Sequence, residues 1–254
     1  MQKIALITGA TAGFGKATAL ILARNGYDLI LTGRRKEKLS EVSTHIRKET
    51  GAKILELSFD VRKQADVDQQ IEALRDGWEN IEVLINNAGL AAGLSPVHEG
   101  LVQDWEQMID TNVKGLLYMS RAVIPHMIRQ GKGHIINISS IAGKEVYENG
   151  NVYCATKHAV EALTKGLRIE LVKHNIKVSS VSPGAAETEF SLVRFKGDES
   201  RAKNVYKGYD PLTAEDIAET ILFILTRPAH VNINDILIMA TAQASATVFS
   251  KKTE

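Results

Sequence analysis

Residues Lys3 to Thr8 form a short apolar run that feeds directly into Gly9-Ala10-Thr11-Ala12-Gly13-Phe14-Gly15 and then into a helical stretch from Lys16 to Asn25. Strand, glycine turn and helix in that order open a βαβ unit, and few folds begin this way. Glycines let the turn bend sharply and let backbone approach a pyrophosphate closely. The helix that follows offers free N–H donors and the positive end of its dipole. The spacing is Gly-x-x-x-Gly-x-Gly, not the Gly-x-Gly-x-x-Gly of the longer dinucleotide fingerprint. Gly9, Thr11, Gly13, Phe14 and Gly15 are the candidate contacts of this turn.

The rest of the chain repeats the alternation without a linker or an internal repeat. Further strands are expected at Asp28 to Thr32, Lys53 to Ser58, Glu82 to Asn86, His134 to Ser139, Lys177 to Ser182 and Asp235 to Met239. Long helices are expected near Val102 to Arg129 and Val152 to Lys173. Such a pattern predicts an α/β protein, a doubly wound parallel sheet of Rossmann-like type with helices on both faces. At 254 residues, 44% of them hydrophobic, the chain reads as one domain over 1–254. Between about 184 and 212 the rhythm lapses, and a connection of that length in a compact domain is usually functional. It is the expected substrate lid.

Charge and cysteine content narrow the partners. The formal net charge is +1, from 31 basic and 30 acidic residues. No basic cluster suggests nucleic acid or an anionic membrane. No apolar run approaches the roughly 20 residues that a membrane-spanning helix needs. No signal peptide precedes the first strand, and one cysteine, Cys154, cannot form an internal disulfide. The expectation is a cytoplasmic protein acting on a small molecule. The seven histidines show no metal-ligand spacing, so no metal is expected.

Chemistry is carried by Tyr153 and Lys157, four residues apart on a helix and so on one face. A free phenol, with a pKa of about 10, is a poor base at neutral pH, and a fixed cation nearby favours the phenolate. Tyr153 is therefore a candidate general acid/base. An exposed helix face could carry the same pair, but the remaining motifs favour the chemical reading. Cys154, with no evident histidine partner, reads as a packing residue.

Taken together, Thr8-Gly9-x-x-x-Gly13-x-Gly15, Asn86-Asn87-Ala88-Gly89, Asn112, Ser140, Tyr153-x-x-x-Lys157 and Pro183-Gly184 resemble the short-chain dehydrogenase/reductase family over essentially the whole chain. The resemblance implies a single-domain enzyme that binds NAD(H) or NADP(H), interconverts alcohols and carbonyls, and usually forms tetramers; a homotetramer is expected. It implies that Ser140 holds the substrate oxygen, Tyr153 transfers the proton, Lys157 holds the nicotinamide ribose and lowers the tyrosine pKa, and Asn112 holds a water in a proton relay. It also places Asp60 and Val61 at the adenine, and Pro183, Gly184 and Thr188 along the nicotinamide. Asn86, Asn87, Ala88 and Gly89 end the fourth strand, where open α/β sheets bind ligands.

Cofactor choice is read after the second strand. An acidic residue there would bind a ribose 2′-hydroxyl, whereas Arg34 and Arg35 suit a 2′-phosphate through charge-assisted hydrogen bonds. NADP is expected. Within the family the chain resembles the branch that oxidises small 3-hydroxy acids such as serine and allo-threonine. That likeness is carried by Gly33-Arg34-Arg35 and above all by Glu187 to Phe195 with Asn204-Val205-Tyr206. Ala185-Ala186 and Ala240 depart from its usual pattern. Arg194, alone in the apolar run Leu192-Val193-Arg194-Phe195, is the candidate anchor for a substrate carboxylate. The alternatives are a reductase of bulkier ketones, such as 3-oxoacyl thioesters, steroids or sugars, and a non-catalytic NADP sensor, which would not need Ser140, Tyr153 and Lys157.

Overall fold

The computed structural model describes residues 3–252; the ends of the expected 1–254 domain, Met1, Gln2, Thr253 and Glu254, lie outside the described residues. In chain order the elements are β1 (Lys3–Ile7), α1 (Gly13–Arg24), β2 (Tyr27–Gly33), α2 (Lys36–Thr50), β3 (Ile54–Ser58), α3 (Gln64–Glu72) and β4 (Ile81–Asn86). They continue with α4 (Val102–Ile109), α5 (Leu116–Gln130), β5 (Gly133–Ile138), α6 (Asn151–Leu171), β6 (Ile176–Pro183), α7 (Glu189–Arg194), α8 (Glu199–Asn204), α9 (Ala214–Leu225) and β7 (Asp235–Ile238).

The strands form one seven-stranded sheet in the order β3-β2-β1-β4-β5-β6-β7. Every pairing is parallel. Neighbouring residues of β1 feed opposite cores, as a period of two requires. Ala5 and Ile7 join Leu22 of α1 and Ile217 and Ile221 of α9. Ile4 and Leu6 join Val67 and Ile71 of α3, Met119 and Val123 of α5, and Leu171 of α6. Both faces are thus covered, which explains why the strands read as continuous apolar runs rather than alternating ones.

One expected helix is interrupted. Between α4 and α5 the backbone widens into a π-helical segment, Asp110–Gly115. Such segments recur at functional sites. This one lies against the third strand's exit: a Cβ on Gly115 would come within 2.9 Å of Val61 Cγ2. The 184–212 stretch, expected to be irregular, contains the short helices α7 and α8. Thr188 caps the first by accepting from Phe190 N, and Asp198 caps the second. Among the described residues no helix is long and apolar enough to cross a membrane.

Because all strands run the same way, their carboxyl ends share one edge. The residues after β1, β2, β3, β4, β5 and β6 are therefore gathered there, although they are far apart in sequence.

Candidate active site

A cavity of about 590 Å³ opens along that edge. Its walls include Gly9, Thr11, Gly13, Phe14, Arg34, Arg35, Asp60, Val61, Asn87, Ala88, Gly89, Ser140, Tyr153, Lys157, Pro183, Gly184, Thr188 and Arg194. Nearly all the site residues expected from the sequence are brought together. Three do not reach the cavity: Gly15, Asn86 and Asn112.

The glycine turn shows why its glycines are needed. Gly9 and Gly13 take φ values of +66° and +51°, where a side chain is strained. Thr8 Oγ1 accepts from the backbone N–H groups of Asn87 (3.0 Å) and Ala88 (2.9 Å), and Asn87 Nδ2 donates to Thr8 O at 2.8 Å, tying the turn to the end of β4. Gly15 lies behind this junction. A Cβ there would stand 2.5 Å from both Asn87 Nδ2 and Gly9 O. The N-terminus of α1 has no side-chain cap, so its first N–H groups are left for another acceptor. Asn86 faces the sheet interior instead, donating to Ser120 Oγ (3.0 Å) and Asn137 Oδ1 (2.9 Å).

At the far end, Arg35 donates to Thr11 Oγ1 at 2.8 Å and pairs with Glu189 at 3.0 Å, with Lys38 on the same carboxylate at 3.5 Å. Arg34 stands 4.0 Å from Asp60. Asp60 is held chiefly by Arg62, which donates from Nη2 at 2.6 Å and from Nε at 2.9 Å. Burial alone would raise the Asp60 carboxyl, but the Arg62 hydrogen bonds and the charges of Arg62 and Arg34 outweigh it and hold it below its ordinary value. Arg62 did not stand out in the sequence; Glu189 stood out only within the Glu187 to Phe195 run, and the fold pairs it with Arg35 and Lys38.

In the middle of the cavity are Ser140, Tyr153 and Lys157. Ser140 caps the turn Ile141–Gly143, its Oγ accepting from Ala142 N at 3.1 Å. Tyr153 and Lys157 occupy the first turns of α6, and Lys157 Nζ lies 5.9 Å from the tyrosine ring centroid while donating to Ile138 O at 2.9 Å. The electrostatics differ from the simple expectation of a lowered phenol pKa. Burial pushes the Tyr153 phenol above its ordinary value, and the neighbouring Ser140 hydroxyl and Arg194 charge offset only part of this. Burial also pushes Lys157 down to about 8, with the charge of Glu161 opposing. Asn112, in the π-helical segment, accepts from Leu90 N at 2.9 Å and donates to Leu90 O at 2.8 Å and Thr156 Oγ1 at 3.0 Å. It braces the Gly89-Leu90 backbone beside Lys157 from behind the wall.

The 184–212 segment closes the remaining side. Phe190 packs against Tyr153 with ring centroids 5.6 Å apart. The Arg194 guanidinium lies 5.5 Å from the Tyr147 ring centroid, and its Nη2 is buried without a hydrogen-bond partner. Arg194 O accepts from Gly93 N at 3.1 Å, and Lys196 pairs with Asp104 at 2.9 Å, so α7 is fastened to the cavity rim beyond its C-terminal end. Tyr147, Tyr206, Gln243 and Phe249 also line the cavity. Tyr206 belongs to the Asn204-Val205-Tyr206 segment that carries the branch resemblance; the other three lie in the sequence without motif or periodicity, and only the spacing of Tyr147 between Ser140 and Tyr153 could have drawn notice. Among the described residues no group of histidine, cysteine and carboxylate side chains could hold a metal ion.

A doubly wound parallel sheet with a glycine-turn cleft along its carboxyl edge defines the class of dinucleotide-binding α/β enzymes. The chain belongs to the short chain dehydrogenase family, whose model matches residues 3–198, and it is an oxidoreductase acting on CH–OH groups. It is 47% identical over 244 residues to the NADP-dependent 3-hydroxy acid dehydrogenase YdfG of Salmonella typhi, covering 96% of this chain and 97% of that protein. It is 41% identical over 246 residues to the serine 3-dehydrogenase of Agrobacterium fabrum, covering 97% of each. Among solved structures it resembles the closed form of serine dehydrogenase complexed with NADP+, with a TM-score of 0.91 and 44% identity over 98% of this chain and 100% of the other.

Proposed function

We propose that the protein is an NADP-dependent oxidoreductase that interconverts a small 3-hydroxy acid, of the serine, allo-threonine or 3-hydroxyisobutyrate type, and its 3-oxo acid by hydride transfer. The observation that carries this reading is the placement of Ser140, Tyr153, Lys157 and the incompletely partnered Arg194 on one cavity. The similarity to NADP-dependent 3-hydroxy acid and serine dehydrogenases supports it from a second direction.

The cleft fits NADP(H). The positive-φ turn at Gly9 and Gly13 and the uncapped start of α1 suit a pyrophosphate, and Arg34 and Arg35, on the wall beyond, suit a 2′-phosphate. Asp60 and Val61 would hold the adenine, Asn87 to Gly89 the adenosine, and Pro183, Gly184 and Thr188 the nicotinamide, all of them lining the cavity. When bound, the cofactor supplies the hydride acceptor or donor. Ser140 holds the substrate oxygen by hydrogen bond. Tyr153 takes the hydroxyl proton during oxidation and returns one to the carbonyl oxygen during reduction. Its buried phenol, pushed up by desolvation, keeps its proton at neutral pH, which suits it to give a proton to the carbonyl oxygen during reduction. Lys157 would hold the ribose as an ammonium, while Asn112, its side chain engaged by Leu90 and Thr156 behind the wall, steadies the backbone beside it rather than reaching a relay water. Arg194 pairs with the substrate carboxylate, and the lid residues Phe190 and Phe195 exclude water.

The single domain works as a cytoplasmic homotetramer in this reading. Exposed apolar side chains at Leu101, Val102 and Ile109 in and beside α4, and at Ile169 and Val172 around the end of α6, offer surface for association. A monomer by light scattering at micromolar concentration would contradict that assembly. The reaction is tested by a panel of serine, allo-threonine and 3-hydroxyisobutyrate, read as NADPH absorbance. Turnover of these acids is expected, and indifference to all of them alongside rapid reduction of uncharged ketones would overturn the substrate class.

A further inference from the structure

Glu161 lies one helical turn beyond Lys157 on α6 and is 6% exposed. A carboxylate buried this far is costly unless every oxygen is satisfied. Here it is satisfied from three directions. Oε1 accepts from Ser182 Oγ at 3.0 Å, and Oε2 accepts from Ser180 Oγ at 3.3 Å and from Lys144 Nζ at 2.7 Å. Lys144 also reaches Asp235 Oδ2 at 2.6 Å, and the one Ser180 hydroxyl proton is shared between Glu161 and the nearer Asp235 Oδ1 at 2.9 Å.

These partners belong to different parts of the site. Lys144 directly follows the turn that begins at Ser140. Ser180 and Ser182 lie on β6 just ahead of Pro183 and Gly184, and Glu161 itself shares α6 with Tyr153 and Lys157. The packing leaves no slack at the junction: a Cβ on Gly143 would come within 2.9 Å of Lys157 O and 3.1 Å of Glu161 Cγ.

We propose that Glu161 is a positioning residue for proton transfer: it joins the three segments that carry the reacting groups and sets a carboxylate one helical turn from the Lys157 ammonium. The inference rests on the assignment of proton transfer to Tyr153 and Lys157. The other charged or titratable groups around the pair are Tyr153 and Arg168 on α6, Lys144 on the turn and Asp235 on β7. The elements closing the remaining sides contribute the uncharged Ile138 carbonyl, Gly89 and Asn112. Glu161 is thus the negative charge that opposes the burial of Lys157. Without it, Lys157 loses its proton at a lower pH, and the cation that holds the ribose and favours the phenolate is lost within the working range.

The test compares Glu161→Gln with wild type in kcat against pH, alongside cofactor affinity and thermal melting. The ratio of wild-type to variant kcat is expected to grow by about fivefold or more between about pH 6 and pH 8, with the alkaline limb moved to lower pH. A loss of constant size across that range, or no loss, would overturn the proposal, because a merely structural role has no reason to follow the ionisation of Lys157. Glu161→Asp, which keeps the charge, should keep the wild-type limb even where kcat falls. If Glu161→Gln does not fold, Lys144→Gln reads the same coupling with opposite sign: its alkaline limb should move to higher pH, and an unmoved limb would count against the proposal. Tyr153→Phe in the same assay tests the underlying assignment separately, since activity surviving there would undo the proton-transfer role whatever Glu161 does.

Discussion

The guanidinium of Arg194 stands 5.7 Å from the centroid of the Tyr153 ring, so the lid and the reacting helix meet at the phenol itself. In the proposed reaction, contact of this kind would give the 184–212 segment a chemical role as well as a steric one. The cation lies where a substrate carboxylate could be held while the substrate oxygen faces Tyr153 and Ser140. Its charge also draws the Tyr153 phenol down against the effect of burial.

If Arg194 anchors a carboxylate, Arg194→Ala should raise KM for serine or 3-hydroxyisobutyrate by about tenfold or more, the ~1.4 kcal/mol expected of a charge-assisted contact. NADP affinity should stay nearly unchanged, because the residue lines the substrate end of the cavity. Steady-state kinetics beside cofactor titration decide the matter, and an unaltered KM would remove Arg194 from the binding site.

Tyr153→Phe keeps the ring that packs on Phe190 and deletes only the hydroxyl. Turnover should fall by ~10² to 10⁴-fold, the usual contribution of general acid/base catalysis, with cofactor affinity preserved. Activity within a few-fold of wild type would exclude the phenol as the proton-transfer group.

Replacing Arg34 and Arg35 together by alanine should weaken NADP(H) binding by about tenfold or more while NAD(H) binding changes little, since a phosphate contact from a guanidinium contributes ~1.5 to 3 kcal/mol. Calorimetric titration with both cofactors gives the comparison. Both arginines are half-exposed, so the effect should shrink at high salt. Equal losses for the two cofactors would assign the arginines a structural role only.

His134 offers a test independent of catalysis. It is buried in β5 with Nε2 2.8 Å from Ser179 Oγ, and burial, aided by the Lys177 charge, pushes its pKa down from 6.5 to about 3. A histidine depressed in the folded state leaves the unfolded chain binding the extra proton. Its contribution is therefore complete above the unfolded pKa and declines as pH falls from about 6.5 towards about 3, by about 1.4 kcal/mol per pH unit. Between about pH 6.5 and pH 5, above most carboxylate titrations, wild type should lose distinctly more denaturant resistance than a folded His134→Gln variant, which keeps only the smaller contribution of other depressed histidines such as His126. Parallel slopes for the two proteins would refute the linkage.

The sequence by itself determined the alternation of strands and helices, the glycine turn, the one-sided placement of Tyr153 and Lys157, and the presence of Arg34 and Arg35 after the second strand. These depend on spacing within a few residues, on side-chain period and on the conformational freedom of glycine, all written locally in the chain. The interruption of the 102–129 helix was not legible, because a π-helical segment at Asn112 follows from contacts with Leu90 and Thr156 that lie far away in sequence.

Tertiary structure alone decided which polar residues became wall and which became support. Asn86 and Asn87 are neighbours, yet one turns into the sheet towards Asn137 and the other ties down the glycine turn. It also decided the electrostatics. The spacing of Tyr153 and Lys157 predicts a stabilised phenolate, whereas burial raises the phenol and lowers the ammonium, because desolvation depends on every element packed around the pair and not on the four residues between them. Glu161, Lys144 and Asp235 meet for the same reason: parallel pairing of β5, β6 and β7 brings together charges that no local pattern connects.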